Sequence, residues 1–363
     1  MLINNLLSEL RDKVDGNRLY IVGAGKYGDL IGQWLNKENI DYVGYIDKKK
    51  GELNGKRIDT YKSVNSNDWY FISSYQYTDE IKEILEKKGA MKERILYLEK
   101  QEIIYDILYS TKKELVLRNS ISRFHNKYSK KRCFLIGNGP SLAIEDLEKI
   151  GNEYSFGCNT LYAIYSETRW RPSFYVYIDP TFTKYLAGHH EKYNMMAKDS
   201  FVFSSLFCAM DSNNINNEKH FVFKTINPSN RITPEFSGDC NEYVYTQYTV
   251  MYPMLQLACY FGFKEIILLG VDCTFSHDEQ LDGTIKTQDI INHQKIIEQE
   301  EKNMEDMVIE ECGYKYLTNV ERQHAGYISA RNYAETHGIK IYNATRGGEL
   351  EIFERIGFDT LFE

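Results

Sequence analysis

The sequence has no excess of basic residues and no long hydrophobic run. Its 52 Asp and Glu outnumber 44 Lys and Arg, for a formal net charge of −8, which argues against the basic face of a nucleic-acid-binding protein. No apolar stretch approaches the roughly 20 residues of a transmembrane helix. The first residues, 1–7, lack a basic region and a cleavage site, which predicts an amphipathic helix and no signal peptide. We therefore expect a cytoplasmic protein.

Cysteine pairs with metal-binding spacing are also missing. The seven cysteines form no Cys-x-x-Cys pair, and several lie within apolar runs. This pattern predicts reduced, buried thiols and neither a zinc site nor a disulfide framework. His189 and His190 are adjacent in a polar segment and are predicted to be solvated, so we assign no metal site.

The length of 363 residues predicts two domains. Alternating strand-like and helical segments predict an α/β fold with two Rossmann-like domains in tandem. We expect residues 1–98 to form the first domain, 99–130 a helical connector and 131–363 an open sheet with helices on both faces. The connector could equally be a contact in a homo-oligomer. The charged segment 288–311 is predicted to be a solvated surface helix or a lid.

The most informative motif is a glycine turn after the apolar run 133–136. It consists of Gly137, Asn138, Gly139, Pro140 and Ser141. The glycines allow a sharp turn and a close approach to a ligand, and Pro140 with Ser141 or Asn138 is typical of a helix start. The N–H groups at such a helix end predict a phosphate site. An ordinary strand–helix turn is the alternative interpretation.

A second glycine turn follows the apolar residues 19–22. Gly23, Gly25 and Gly28 have the spacing of the dinucleotide fingerprint, and Asp47 ends the next predicted strand. An acid in that place can accept hydrogen bonds from ribose hydroxyls. Three lysines at 48–50 leave the choice of nucleotide open. We expect a second candidate nucleotide site here, with an NAD-dependent dehydrogenase as a weaker alternative.

Polar residues and glycines also end predicted strands of the second domain. Asn159 follows the strand 154–158, Asp179 follows 174–177, and Gly270 and Asp272 follow 265–269. The carboxyl ends of parallel strands converge on the ligand crevice of an open α/β sheet, so these residues predict one binding site. The alternative is that Asn and Asp simply terminate strands, as they often do.

These segments resemble a known group of enzymes. Residues 137–142, 158–159 and 262–272 are similar to bacterial lipooligosaccharide sialyltransferases and to a related domain. That domain occurs in motility accessory factor proteins, which glycosylate flagellin with nonulosonic acids, and in archaeal hydroxymethylpterin diphosphokinases. Residues 341–350 are similar to its C-terminal signature, and the resemblance covers roughly 131–355. It implies a sialyltransferase-like, GT-A-variant fold for the second domain.

The resemblance also implies roles for single residues. Asn138 and its turn would hold the nucleotide phosphate, Asn159 would contact the ribose or the sugar, and Thr249 would help to hold the donor. Gly270 and Asp272 would lie against the base and ribose. His324 falls within a few residues of the sialyltransferases' general base. A neutral imidazole there could take the acceptor hydroxyl proton, and a structural His is the alternative.

Two departures from the family pattern bear on the chemistry. The sialyltransferases use tyrosines after the Gly-Asp strand to assist the leaving phosphate, and here that role is vacant or falls to Thr274 or His277. Asp179 stands where the family has Asn. A carboxylate beside phosphates would repel them unless a divalent cation intervened, or unless a donor hydroxyl were its partner.

We therefore expect a glycosyltransferase of surface-polysaccharide or flagellin modification. Its partners would be a nucleotide-sugar donor, with a CMP-linked nonulosonic acid favoured, and a glycan or protein acceptor, and it would require no cofactor. One alternative is a magnesium-dependent diphosphotransferase that acts on ATP, with Asp179 and Asp272 holding the metal. Another is a nucleotide-binding protein without catalytic activity.

Overall fold

The chain divides into two compact units, Met1–Leu117 and Arg118–Glu363. The computed structural model describes residues 2–75, 77–118, 120–211, 217–312 and 318–363. Within these ranges no helix is both long and apolar enough to cross a bilayer. The domain boundaries at residues 98 and 130 stay predictions.

The first unit is a six-stranded sheet with helices between its strands. Its elements in chain order are α1 (Leu2–Val14), β1 (Leu19–Val22), α2 (Lys26–Lys37), β2 (Gly44–Asp47), β3 (Gly51–Leu53), β4 (Lys56–Thr60), β5 (Trp69–Ile72), α3 (Thr78–Lys87), β6 (Ile95–Tyr97) and α4 (Glu102–Arg118). The strand order is β3-β4-β2-β1-β5-β6, and the β3–β4 pair is antiparallel. Asn54 and Gly55 join these two strands with φ of 53° and 69°, as a tight hairpin turn requires.

The described part of the second unit has twelve strands, eight of them in one large sheet and four in two separate two-stranded sheets. Its strands are β7 (Arg132–Ile136), β8 (Tyr154–Cys158), β9 (Phe174–Tyr177), β10 (Phe201–Ser205), β11 (His220–Phe223), β12 (Thr225–Ile226), β13 (Val244–Tyr245), β14 (Glu265–Leu269), β15 (His277–Glu279), β16 (Ile285–Thr287), β17 (Lys340–Asn343) and β18 (Glu354–Arg355). Its helices are α5 (Ile144–Ile150), α6 (Pro180–Gly188), α7 (His190–Asp199), α8 (Leu206–Asp211), α9 (Met251–Phe261), α10 (Lys295–Cys312) and α11 (Val320–Thr336).

The order of the large sheet places β7 and β14 side by side. The strands run β11-β10-β9-β8-β7-β14-β17-β18, and all of the pairs are parallel. The chain therefore adds strands on one side of β7 and then returns to the other side with β14. Such a reversal of direction opens a crevice at the carboxyl ends of the two strands. In the first unit, β1 and β5 are paired across the corresponding reversal.

Helices cover both faces of the large sheet, which confirms the predicted α/β class. Alternate residues of β7 enter different cores: Cys133 and Leu135 pack with α9 and α11, and Phe134 and Ile136 pack with α5, α6, α7 and α10. This alternation follows from the two-residue period of a strand. The six cysteines whose side chains are described are free thiols, five of them buried; the side chain of Cys312 lies outside the described residues.

Aromatic packing dominates the first of these cores. Phe124 is fully buried, and its ring centroid lies 4.8–5.6 Å from the centroids of four rings. These rings belong to Phe201, Phe203, Phe221 and Phe261. Three of them are on β10 and β11 at the sheet edge, so Phe124 ties the start of the second unit to that edge.

Replacing Phe124 by alanine should destabilise the second unit by about 3–5 kcal/mol, because it removes buried aromatic contacts and leaves a cavity. Phe362→Ala is the matched control, since the Phe362 side chain is 39% exposed. Urea unfolding of the full chain measures both losses. Equal losses for the two variants would contradict this assignment of the core.

Candidate active site

A cavity of about 270 Å³ lies at the carboxyl ends of β7 and β14. It brings together eight of the residues predicted for the site: Gly137, Asn138, Gly139, Asn159, Asp179, Thr249, Gly270 and Asp272. Pro140, Ser141 and His324 are not among the described residues that line it. Its position at the reversal of strand order is where ligands bind in open α/β sheets.

The turn after β7 does not present the ring of free N–H groups that the motif predicted. The N–H groups of Gly137 and Gly139 donate to carbonyl oxygens at the end of β14, at 2.8 and 2.9 Å. The backbone and the hydroxyl of Ser141 both hydrogen-bond to the Asp272 carboxylate. Three N–H groups that were expected to bind phosphate, those of Gly137, Gly139 and Ser141, therefore hydrogen-bond to β14 and the segment after it.

The expected helix start at this turn is also wrong. Helix α5 begins at Ile144, has Ala143 as its N-cap and is only 7 residues long. Pro140 and Ser141 form a separate turn before it. The physical reason is that the Ser141 hydroxyl donates to Asp272, at 2.8 Å, and is not used as a cap.

The glycines of the motif are needed for contact between protein segments. A Cβ on Gly139 would overlap the Asp272 carboxylate, and one on Gly137 would overlap the carbonyl oxygen of Gly270. Gly348, with φ of +75°, packs as closely against the Asp272 backbone from the segment after β17. Asp272 is only 6% exposed, and burial raises the pKa of its carboxyl while the hydrogen bonds from Ser141 oppose that rise.

Two asparagines that line the cavity differ in their hydrogen bonding. Asn138 is buried, and its Nδ2 donates to Thr160 Oγ1 at 3.3 Å. Asn159 has φ of 45°, which is uncommon for a residue other than glycine. Its Oδ1 atom is buried and has no hydrogen-bond partner among the described residues. A buried acceptor without a donor costs free energy, so this atom is ready to accept a hydrogen bond from a ligand.

Asp179 has a structural role that the sequence analysis did not predict. It is the N-cap of α6, and its Oδ1 accepts from Thr181 N at 2.7 Å, directly before Pro180 at the first helical position. Burial raises the pKa of the Asp179 carboxyl, the hydrogen bonds of the cap oppose this rise, and Glu301 adds to it. Asp179 lines the cavity and can still face a ligand.

Thr249 lies at the start of α9 and lines the cavity. Its Oγ1 accepts from Met251 N at 3.2 Å, and its side chain also hydrogen-bonds to Tyr327. Thr249 therefore joins α9 to α11 at the cavity wall, and its contact with a donor stays a prediction.

His324 lies on α11, on a side of the helix that does not line the cavity. Gln323 and Tyr327, four residues apart and hence on one helix face, line it instead. The Nε2 atom of His324 is buried and has no hydrogen-bond partner among the described residues. Burial lowers the pKa of its imidazole, an effect opposed by Glu349 and other carboxylates. Its catalytic role stays a prediction, without support from its position.

Helix α10 contributes residues to the cavity that the sequence analysis missed. It begins at Lys295 and not at residue 288, and it is not a solvated helix, because Ile297 is fully buried in the core. Glu301 of this helix and His293 just before it line the cavity. The segment is rich in acidic residues throughout, so its sequence gave no signal that one carboxylate would face inward.

In the first unit, the acid predicted to bind a ribose, Asp47, instead hydrogen-bonds to the backbone of the second glycine turn. Asp47 Oδ2 accepts from Ala24 N at 2.6 Å, and a Cβ on Gly28 would overlap the Gly23 carbonyl oxygen. A cavity of about 360 Å³ in this unit is lined by other residues, from α1, α3, β6 and the segments beside them, and Gly23, Gly25, Gly28 and Asp47 are absent from its described lining. Nucleotide binding at this turn stays a prediction.

The family models match both units of the chain. Residues 106–278 match the model described as 6-hydroxymethylpterin diphosphokinase MptE-like. The second unit resembles an MptE-like domain. This match confirms the resemblance predicted from the glycine turn and the Gly-Asp strand end. Residues 16–96 match the model described as C2185-like, N-terminal. No curated protein is similar enough to match the chain.

Solved structures of glycosyltransferases are also similar to the chain. The MAf glycosyltransferase from Magnetospirillum magneticum AMB-1 is 12% identical over 99% of this chain and 62% of its own, with a TM-score of 0.39. This chain thus spans 62% of the length of that enzyme. The sialyltransferase CstII from Campylobacter jejuni, in complex with the substrate analogue CMP-3FNeuAc, is 14% identical over 62% of this chain and 86% of its own, with a TM-score of 0.37.

Gly139→Ala should disrupt the contact between the two turns, because the new Cβ would displace the Asp272 carboxylate. We expect a loss of about 1–3 kcal/mol in the free energy of unfolding, as for other overpacked sites. Gly188→Ala is the control, since a Cβ there meets no atom within 4 Å. Chemical denaturation compares the two, and a neutral Gly139→Ala would show that the turns are not tightly packed.

Proposed function

We propose that the second unit is a glycosyltransferase that binds the nucleotide of an activated sugar in the cavity beside β7 and β14. The observation that carries this proposal is the unpartnered Oδ1 of Asn159 in a cavity at the reversal of strand order. The nucleotide would supply the missing donor from an amine, an N–H or a hydroxyl. The acceptor would be a hydroxyl of a glycan or protein, and the reaction would take place in the cytoplasm.

The charges of the cavity favour a donor with few phosphate charges. Asp179, Asp272 and Glu301 line it, whereas none of its described lining residues is Lys or Arg. A nucleoside diphosphate brings at least two negative charges towards these carboxylates, which a metal or basic residues would have to balance. A CMP-linked sugar has one phosphate. At the phosphate this favours a CMP-linked donor, and the carboxylate that a nonulosonic acid adds would have to bind away from Asp179, Asp272 and Glu301.

The same carboxylates support a second candidate function. An MptE-like diphosphotransferase would use ATP with Mg²⁺, which proteins often hold through one or two carboxylates together with substrate phosphates. The described residues contain no group of three or more His, Cys, Asp or Glu able to hold a metal ion by themselves. Asp179 and Asp272 would hold the ion, and it would provide the charge that balances the phosphates.

A thermal-shift screen distinguishes these proposals. CMP, CDP, UDP, GDP, ATP and NAD are each tested with and without Mg²⁺, because a ligand that binds only the folded state raises the melting temperature. We expect CMP to stabilise the protein without metal. Stabilisation by ATP only with Mg²⁺ would move the assignment to the diphosphotransferase. Binding without turnover of the matching donor would indicate a nucleotide-binding protein, and no shift with any nucleotide would contradict both enzymes.

Asn159→Gly should weaken nucleotide binding without straining the backbone, because glycine accepts the positive φ of this position. Loss of one hydrogen bond of about 0.5–1.5 kcal/mol predicts up to about a tenfold rise in Kd. Titration calorimetry with CMP measures it. Gly188→Ala, on a helix end outside the cavity, serves as the control, and an unchanged Kd for Asn159→Gly would remove Asn159 from the site.

A further inference from the structure

A chain of hydrogen bonds runs from the glycine turn to a histidine in the opposite wall of the cavity. Asn138 Nδ2 donates to Thr160 Oγ1, and Thr160 Oγ1 donates to Glu301 Oε1 at 2.6 Å. The other oxygen of this carboxylate, Oε2, lies 2.5 Å from His293 Nδ1. Asn138, Glu301 and His293 all line the cavity. No other histidine in the described residues both lines the cavity and has a carboxylate within 4.0 Å of a ring nitrogen.

The position of Glu301 is fixed by its neighbour in the helix. Glu300 Oε1 accepts from Tyr162 Oη at 2.5 Å and from Tyr185 Oη at 3.0 Å, and it also pairs with Lys192. Burial would raise the pKa of the Glu300 carboxyl, but these hydrogen bonds hold it below its usual range. Glu300 is therefore an anion that anchors α10 to α6 and α7. This anchor keeps Glu301 against the cavity.

We propose that His293 is the catalytic base that takes the proton of the acceptor hydroxyl, and that Glu301 is the residue that positions it. This inference rests on the proposed transfer to a hydroxyl, and it assigns the role to His293 in place of His324. With Nδ1–H donating to Glu301, the imidazole is held in the tautomer whose Nε2 carries the lone pair. A carboxylate that orients a histidine in this way also stabilises the imidazolium that forms.

The proposed glycosyl transfer forms one bond, breaks one bond and moves one proton. The acceptor oxygen forms a bond to the anomeric carbon of the donor, and its proton moves to His293 Nε2. The bond between the anomeric carbon and the phosphate oxygen breaks, and its electron pair leaves with the nucleotide. The imidazolium then returns the proton to solvent or to the departing phosphate.

Other groups around His293 will affect its titration. They are Glu298 and Glu301 of α10, Asp272 after β14, and Asp179 and His277, which also line the cavity. The Glu301 carboxylate, whose Oε2 lies 2.5 Å from His293 Nδ1, favours the charged imidazolium. Removing the charge of Glu301 should therefore shift the acidic limb of the rate profile to lower pH.

The kinetic test measures nucleotide release by the full chain with CMP-N-acetylneuraminic acid, UDP-N-acetylglucosamine and GDP-mannose, each with lactose as acceptor. We expect His293→Ala to lower kcat by about 10²–10⁴-fold with an unchanged Kd for the free nucleotide. Glu301→Gln should lower kcat less and shift the acidic limb of its pH profile. His190→Ala replaces an exposed histidine of α7 and is the matched control. A loss of turnover in His324→Ala but not in His293→Ala would overturn the proposal.

A second measurement does not depend on the donor. Nitrogen-15 spectra of histidine-labelled protein, with the His293 signals assigned by their absence from His293→Ala, should show protonated Nδ1 and unprotonated Nε2 at pH 7.5. Glu301→Gln should reduce this preference. An Nε2–H tautomer or a doubly protonated ring at this pH would overturn the assignment.

The two measurements separate failure of this inference from failure of the proposed function. If the wild-type protein neither binds nor releases any of the nucleotides, the proposed function fails, and the tautomer alone decides whether the His293–Glu301 pair is arranged as a base. If the wild-type protein is active and His293→Ala is equally active, only the inference fails.

Discussion

The close contact between the turn after β7 and the turn after β14 determines the rest of the site. Asp272 is enclosed by Gly139 on one side and by Gly348 on another, and it accepts hydrogen bonds from Ser141. A Cβ on Gly139 would separate the two turns, and one on Gly348 would push the segment after β17 away from Asp272. Because β7 and β14 are neighbours across the reversal of strand order, this contact closes the base of the crevice and leaves the cavity above it.

The two units of the chain use an acid in a similar way. In the first unit, Asp47 ends β2, the strand next to β1, and accepts from the N–H of Ala24 in the glycine turn. In the second, Asp272 follows the strand next to β7 and accepts from Ser141. In both, the carboxylate completes the hydrogen bonds of a turn whose N–H groups would otherwise attract an anion. A glycine fingerprint followed by an acid is thus compatible with a turn whose N–H groups bind that acid, as well as with a nucleotide site.

The far wall of the cavity depends on α10. Adjacent residues of this helix, Glu300 and Glu301, both accept hydrogen bonds from the body of the unit. Glu300 serves as an anchor, and Glu301 reaches the cavity. The result is a site that is rich in carboxylates and has a histidine held by one of them. Under the proposed function, this electrostatic character favours ligands that bring few negative charges or a balancing cation.

The sequence by itself determined four of the six strands of the first sheet, seven of the eight strands of the second, the two glycine turns and the convergence of Asn159, Asp179 and Asp272; it did not predict β3, β4 or β18. These features depend on local patterns, since apolar runs and strand-ending residues act over a few positions. Only the tertiary structure decided which N–H groups of the turn are engaged and which histidine enters the cavity. His293 and Glu301 could not be found from the sequence, because an acidic helix that is anchored by buried tyrosines and a lysine has the same composition as a solvated one. Packing against the rest of the unit sets the direction of the side chains of α10, and a local sequence pattern does not contain this information.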